Sequence, residues 1–349
     1  MSAAAVLAWQ GIRGACLALP VLAAAVLAGA MIGETSLAPD LVLSVLANKL
    51  AGAGLPVDPV DQGIIWSYRL PRALVAAACG AALAVAGVVL QALLRNALAD
   101  PYILGISAGA STGAVAVTIA GLGGGALSLS FGAFNGALLA FGFVAILARA
   151  AGAGGNRAAA AQIVLAGIAG SQLFNALTAF IIAKSANADQ ARGIMFWLMG
   201  NLSGVRWPDV WLAVPLALAG WMICRFHARA LDAFTFGSDS AASLGITVRR
   251  VQVVLIFATA LMTAVMVSIV GSIGFVGLVI PHAARFLVGP GHRRLMPAAA
   301  LTGAVFLIAA DIVSRIIIPG QVLPIGVVTA LIGAPSFAVI LVRGQRTAR

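Results

Sequence analysis

The chain has 349 residues, of which 62% are hydrophobic and 9% charged, with a formal net charge of +11. Soluble globular domains carry about 25% charged residues, so this composition excludes an ordinary soluble fold. The basic residues fall between apolar runs rather than along one face, a topology signal and not a nucleic-acid surface.

Uncharged runs lie near 14–33, 73–94, 102–148, 158–183, 210–224, 251–284, 295–310 and 316–342. A helix needs roughly 20 apolar residues to cross a bilayer. The first run follows Arg13 and ends near Ala28-Gly29-Ala30, so it reads as a first span or as a cleavable signal. Residues 38–50 suit an amphipathic helix ended by Gly52, Gly54 and Pro56. The run 102–148 is too long for one crossing and breaks in the glycines at 121–125, which predicts a helical hairpin.

The run 251–284 is interrupted by Gly271, Gly274, Gly277 and Pro281. The loops on both sides are basic, with Arg225, Arg229, Arg249 and Arg250 before it and Arg285, Arg293 and Arg294 after it. Both loops therefore belong inside, which requires two crossings, the second near 272–287. The result is an all-α polytopic membrane protein, with about ten transmembrane helices bundled in one domain over 1–349. Both termini are expected to be cytoplasmic, with basic residues biased inward about two to one.

Several chemistries are excluded. Asp311 is the one acidic residue inside an apolar span, and Arg315 at i+4 makes it half of a helical ion pair. A proton relay needs more intramembrane carboxylates or histidines, which disfavours an ion-coupled carrier. His227, His282 and His292 have no partners at catalytic or metal-ligand spacing, so neither a membrane enzyme nor a metal site is expected. Cys16, Cys79 and Cys224 are far apart and read as core residues. A P-loop requires Gly-Lys, yet the lysines, Lys49 and Lys184, follow Asn48 and Ala183. This chain should bind no cofactor, and any ATP and Mg²⁺ must be used by another subunit.

Polar knots remain to be explained. Arg95, Asn96 and Asp100 crowd an inner loop, and Asp100-Pro101 should cap and start a helix there. Gly105, Gly109 and Gly113, with Ser107 and Ser111 between them, form a small-residue stripe that admits a close neighbour. The segment LDAFTFGSDSAASLG at 231–245 reads as a short helix capped by Ser238 or Asp239 and ended by Gly245. Its apolar residues Leu231, Phe234, Phe236 and Leu244 are out of place in a solvated loop.

These segments carry a resemblance. LLRNALADPYILGISAGASTGA at 93–114 is similar to the signature of permease subunits of type II ABC importers, the FecCD-like family, which move ferric siderophores, haem and cobalamin. YRLPRALVA at 68–76, MFWLMGNLSG at 195–204, LGITVRR at 244–250 and GFVGLVIPHAAR at 274–285 resemble family segments too, as do ADIVSR at 310–315 and LPIGVVTALIGAPSFAVIL at 323–341. The family commonly carries proline where Ala97 stands and an acid where Val322 stands.

The resemblance implies a homodimer in the bacterial inner membrane, two ATP-binding-cassette ATPase subunits and a periplasmic binding protein. It implies an inner gate at Asn96 and Leu98. It makes the loop at about 231–248 the coupling element, with Leu231, Phe234, Phe236, Ser238, Asp239, Leu244 and Gly245 meeting the ATPase. Outer arginines Arg69, Arg72 and Arg315 would dock the binding protein. Met195, Trp197 and Met199 would line the pathway, where soft side chains suit a bulky ligand. Arg192 and Arg206 near the outer mouth favour an anionic iron chelate or haem, with cobalamin as the alternative.

Overall fold

The computed structural model describes residues 18–35, 37–119, 128–152, 159–185 and 187–346. Arg13, Cys16 and the glycine break at 121–125 lie outside the described residues. The helices are α1 (Ala18–Met31), α2 (Pro39–Ala51), α3 (Pro59–Gln62), α4 (Leu70–Leu93), α5 (Ile106–Ile119), α6 (Leu129–Ala150), α7 (Ala159–Ser185) and α8 (Ala188–Leu198). They continue with α9 (Trp207–Phe226), α10 (Ala228–Phe234), α11 (Ser238–Ser243), α12 (Val248–Val270), α13 (Val276–Val288), α14 (His292–Ile316) and α15 (Ile325–Arg346). Among the described residues, 6 helical segments are long and apolar enough to cross a membrane, and α1, α5, α13 and part of α15 are shorter apolar helices.

α4 is the central element, with buried residues on every side from Leu70 to Ala92, as expected of a helix that is apolar all round. Glycine decides who touches it. A Cβ on Gly80 would overlap the carbonyl of Gly303 on α14, and one on Gly87 would overlap that of Gly277 on α13. The stripe on α5 works in the same way. Gly109 and Gly113 lie against the backbone of Gly136 and Gly132 on α6, the close approach that small residues allow in lipid.

The run 251–284 is divided between two helices, α12 and α13, around the irregular segment 271–275. Irregular backbone is tolerated at membrane depth only where protein satisfies it. Here the Tyr102 hydroxyl donates to Ile273 O at 3.0 Å and accepts from Ile273 N at 2.9 Å, and the Ser107 and Ser272 hydroxyls meet at 2.7 Å. Phe275 then takes a left-handed φ of 69°, unusual for a bulky residue, and packs against Gly333 on α15.

Three local expectations are corrected. Asp100 does cap, accepting from Tyr102 N at 2.9 Å, but it starts one 3₁₀ turn, Pro101–Leu104. Gly105, at φ 77°, ends that turn, and α5 begins only at Ile106. Neither Ser238 nor Asp239 caps α11, because Gly237 occupies the N-cap with no side chain to offer. Pro281, expected to interrupt the run, lies with His282 within α13. Pro281 cannot donate to the Gly277 carbonyl four residues back, and Gln91 Nε2 stands 3.4 Å from that oxygen.

Candidate functional site

The loop expected on the inner side begins where α4 ends. Arg95 adopts φ 45°, a turn few non-glycine residues make. Asn96 Oδ1 then accepts from Leu98 N at 2.9 Å, so the Asn96 side chain braces the loop while Leu98 stands 48% exposed at its tip. The Arg95 guanidinium passes beside Gly237, bringing the gate candidate against the coupling segment.

That segment is two short helices rather than one, and its apolar residues divide. Leu231 and Phe234 are buried in the main core, at 0% and 2% exposure, whereas Phe236 and Leu244 are 80% and 72% exposed. Gly237, at φ 108°, turns the chain between α10 and α11. Ser238 and Asp239 are exposed beside Phe236, and Gly245, at φ 79°, ends α11. The expectation that Leu231 and Phe234 meet a partner is corrected: they root α10 in its own protein.

At the other end of the bundle, Arg69, Arg72 and Arg315 are 5%, 1% and 4% exposed. This corrects the view of them as surface cations. Pro71 lacks an N–H, and the chain upstream winds wider, in a π turn over Gly63–Arg69. Arg72 Nε donates to Asp311 Oδ1 at 2.7 Å, and Arg315 Nη2 reaches Asp311 Oδ2 at 3.0 Å. Arg72 also donates to Tyr68 Oη and Ser203 Oγ, both at 3.1 Å. Arg69 donates to the carbonyls of Ala30, Met31 and Thr35, and Arg315 Nη2 to that of Gly29. The i+4 spacing foretold Arg315 as the partner of Asp311. It gave no sign of Arg72, which lies 239 positions away.

Met195 and Met199, 54% and 46% exposed, lie at this same end, with Trp197 half-buried between them. Their backbone is pinned: Gly326 N donates to Met199 O at 3.0 Å, Ile325 N to Gly200 O at 3.0 Å, and Asn201 N to Val270 O at 2.8 Å. The soft side chains therefore sit on a rigid frame. Tyr102, Ser107, Ser272 and Asp232 were not anticipated as organising residues, since their partners lie far off in sequence.

Comparison with known proteins supplies the family. The model of the FecCD transport family matches residues 21–343. The chain is 41% identical over 286 residues to the cobalamin import system permease protein BtuC of Halobacterium salinarum, covering 82% of this chain and 75% of that protein. It is 38% identical over 335 residues to the uncharacterized ABC transporter permease protein YvrB of Bacillus subtilis, covering 94% and 93%. The vitamin B12 import system permease protein BtuC of Escherichia coli O6:H1 is 39% identical over 315 residues, covering 88% and 93%. A metal-chelate type ABC transporter solved in an inward-facing conformation superposes with a TM-score of 0.78 at 31% identity, covering 93% of this chain and 97% of that one. The chain belongs to the FecCD transport family and is a membrane-spanning permease subunit of an ABC importer.

Proposed function

We propose that the chain carries a corrinoid of the cobalamin type inward by alternating access, as a homodimer in the bacterial inner membrane. The support is the similarity to relatives named as cobalamin and vitamin B12 import permeases. The sequence-based preference for iron chelates rested on Arg192 and Arg206 at the outer mouth. Arg206 is occupied, donating to Ser203 O at 3.1 Å and Val205 O at 2.7 Å and lying 5.2 Å over the Tyr68 ring. Uptake by the reconstituted importer of labelled cobalamin, against a ferric siderophore and haem, tests the reading. Saturable uptake of cobalamin alone is the expected result; transport of an iron chelate without cobalamin overturns it.

Two ATPase subunits would bind ATP and Mg²⁺ and seat on the exposed face made by Phe236, Ser238, Asp239 and Leu244. The observation that carries this is the exposure of Phe236 and Leu244 beside buried Leu231 and Phe234. Phe236→Asp should weaken the seat by about 2 kcal/mol or more, as loss of an aromatic anchor does, and abolish co-purification of the ATPase while the permease stays folded. Undiminished co-purification would sink the assignment. Asn96 and Leu98 would close the pathway inside, and Met195, Trp197 and Met199 would line it outside. A periplasmic binding protein would meet the field of Arg69 and of the two guanidiniums paired with Asp311, without direct bonds to their covered nitrogens.

A further inference from the structure

α14 begins without a cap of its own, because its N-cap is Gly291. The cap comes from another element. Asp232, on α10, accepts from His292 N at 2.9 Å, and the same Oδ1 meets His292 Nδ1 at 2.6 Å. A carboxylate at the first N–H of a helix satisfies an orphan donor and meets the positive end of the helix dipole. His292 is 3% exposed, and its Nε2 has no partner among the described residues, so the ring is held through Nδ1 alone. Asp232 is flanked by Leu231, and Phe234 lies two positions on; both are buried. The exposed Phe236 follows two residues later. At its far end α14 carries Asp311 and Arg315, which tie it to Arg72 on the central helix.

We propose that Asp232 and His292 are positioning residues of the transport cycle: their contact is the joint through which displacement of α10 by the ATPase moves α14. This rests on the coupling surface proposed above. Two geometric facts favour a joint over a passive cap. The contact joins two separate helices, 60 positions apart, and it is made at the first N–H of α14, so a force on α10 reaches the axis of a 25-residue rod. That rod packs by glycine backbone on α4, whose inner end leads into the Asn96–Leu98 loop.

The test uses the complete transporter, with its ATPase and binding protein, in proteoliposomes, and reads ligand imported per ATP hydrolysed. Asp232→Ala should leave the ATPase bound and basal hydrolysis near the parent level, while import per ATP falls roughly tenfold, a coupling of ordinary size. Asp232→Asn keeps an acceptor oxygen for His292 N–H and should recover part of that loss. Asp232→Ala combined with His292→Ala should be no worse than Asp232→Ala alone, as expected of residues that act as one unit. An unchanged ratio in Asp232→Ala overturns the joint, as does an equal fall of hydrolysis and import together with a lowered melting temperature. If Asp232→Ala does not assemble, the ratio in Asp232→Asn decides: a parent value overturns the joint. Failure of the parent chain to bind any ATPase would instead refute the coupling surface, which separates the two outcomes.

Discussion

α4 and α9 cross the same bundle in contact with each other, yet they are built on opposite plans. The most apolar stretch of the α3–α4 segment is 89% buried, that of α9 only 28%. α9 turns Val210, Ala213, Ala217, Gly220 and Cys224 inward and leaves Trp211, Leu212, Leu218 and Met222 exposed. Its small residues face protein and its large ones face out, the reverse of a soluble amphipathic helix. The difference teaches what holds the bundle together. Where the surroundings are as apolar as leucine, burial gains little, and helices associate through close packing and polar links. α4 has small residues on all sides, so neighbours crowd it all round; α9 has one such stripe and packs on that face.

The strongest way to break this contrast is to attack the buried ion pair that ties α4 to α14. Asp311→Ala leaves the Arg72 and Arg315 guanidiniums buried with neither carboxylate oxygen. Removing one partner of a buried ion pair costs about 3–5 kcal/mol. Thermal unfolding in detergent should show a loss of that size, enough to abolish a stable preparation. A shift within about 1 kcal/mol would mean that Tyr68, Ser203 and the carbonyl of Gly29 satisfy the cations by themselves.

A smaller effect is expected where α4 hands over to α5. The Asp100 carboxyl is pushed up to about 6, chiefly by burial, against the opposing N–H bond from Tyr102. Its folded value lies above the ordinary 3.8, so the fold holds this proton more tightly than the unfolded chain does. The stabilisation is complete below about 3.8 and is lost as the pH rises through about 6. Between pH 4 and pH 7 the loss should be on the order of 1–3 kcal/mol. Asp100→Asn keeps the cap and should remove the dependence, read as equal melting temperatures at both ends of that range. An identical pH profile in the variant would show that another group sets it.

Much of this was legible in the sequence, for reasons that can be named. Apolar runs mark apolar helices because lipid demands them, and the glycines within 251–284 mark the break between α12 and α13. Asp311–Arg315 was legible because helical neighbours recur at i+4. The partners of Arg72, Tyr102 and Asp232 were not, since tertiary pairs across 131 to 239 positions or joining two helices leave no local period. Nor was the opposite burial of Phe234 and Phe236. Phe234 is the last residue of α10 and Phe236 lies just past its end, and the exact end of a short helix is weakly marked in sequence.

The finest test compares one deletion on each helix. Leu83 in α4 is 1% exposed, while Leu218 in α9 is 54% exposed. Leu83→Ala opens a cavity that the surrounding glycine-packed backbone cannot collapse into, and should cost about 2–5 kcal/mol. Leu218→Ala removes the same atoms from a side chain that the described residues leave about half exposed. Where lipid or detergent covers it, the solvent fills the space and no cavity remains, so the change should stay within about 0.5 kcal/mol. Unfolding midpoints of the two variants, measured side by side in one detergent, give the comparison directly. A cost of about 2 kcal/mol or more at Leu218 would show that protein rather than lipid covers this face of α9. In that event the outward turn of its large residues would mark a contact between chains.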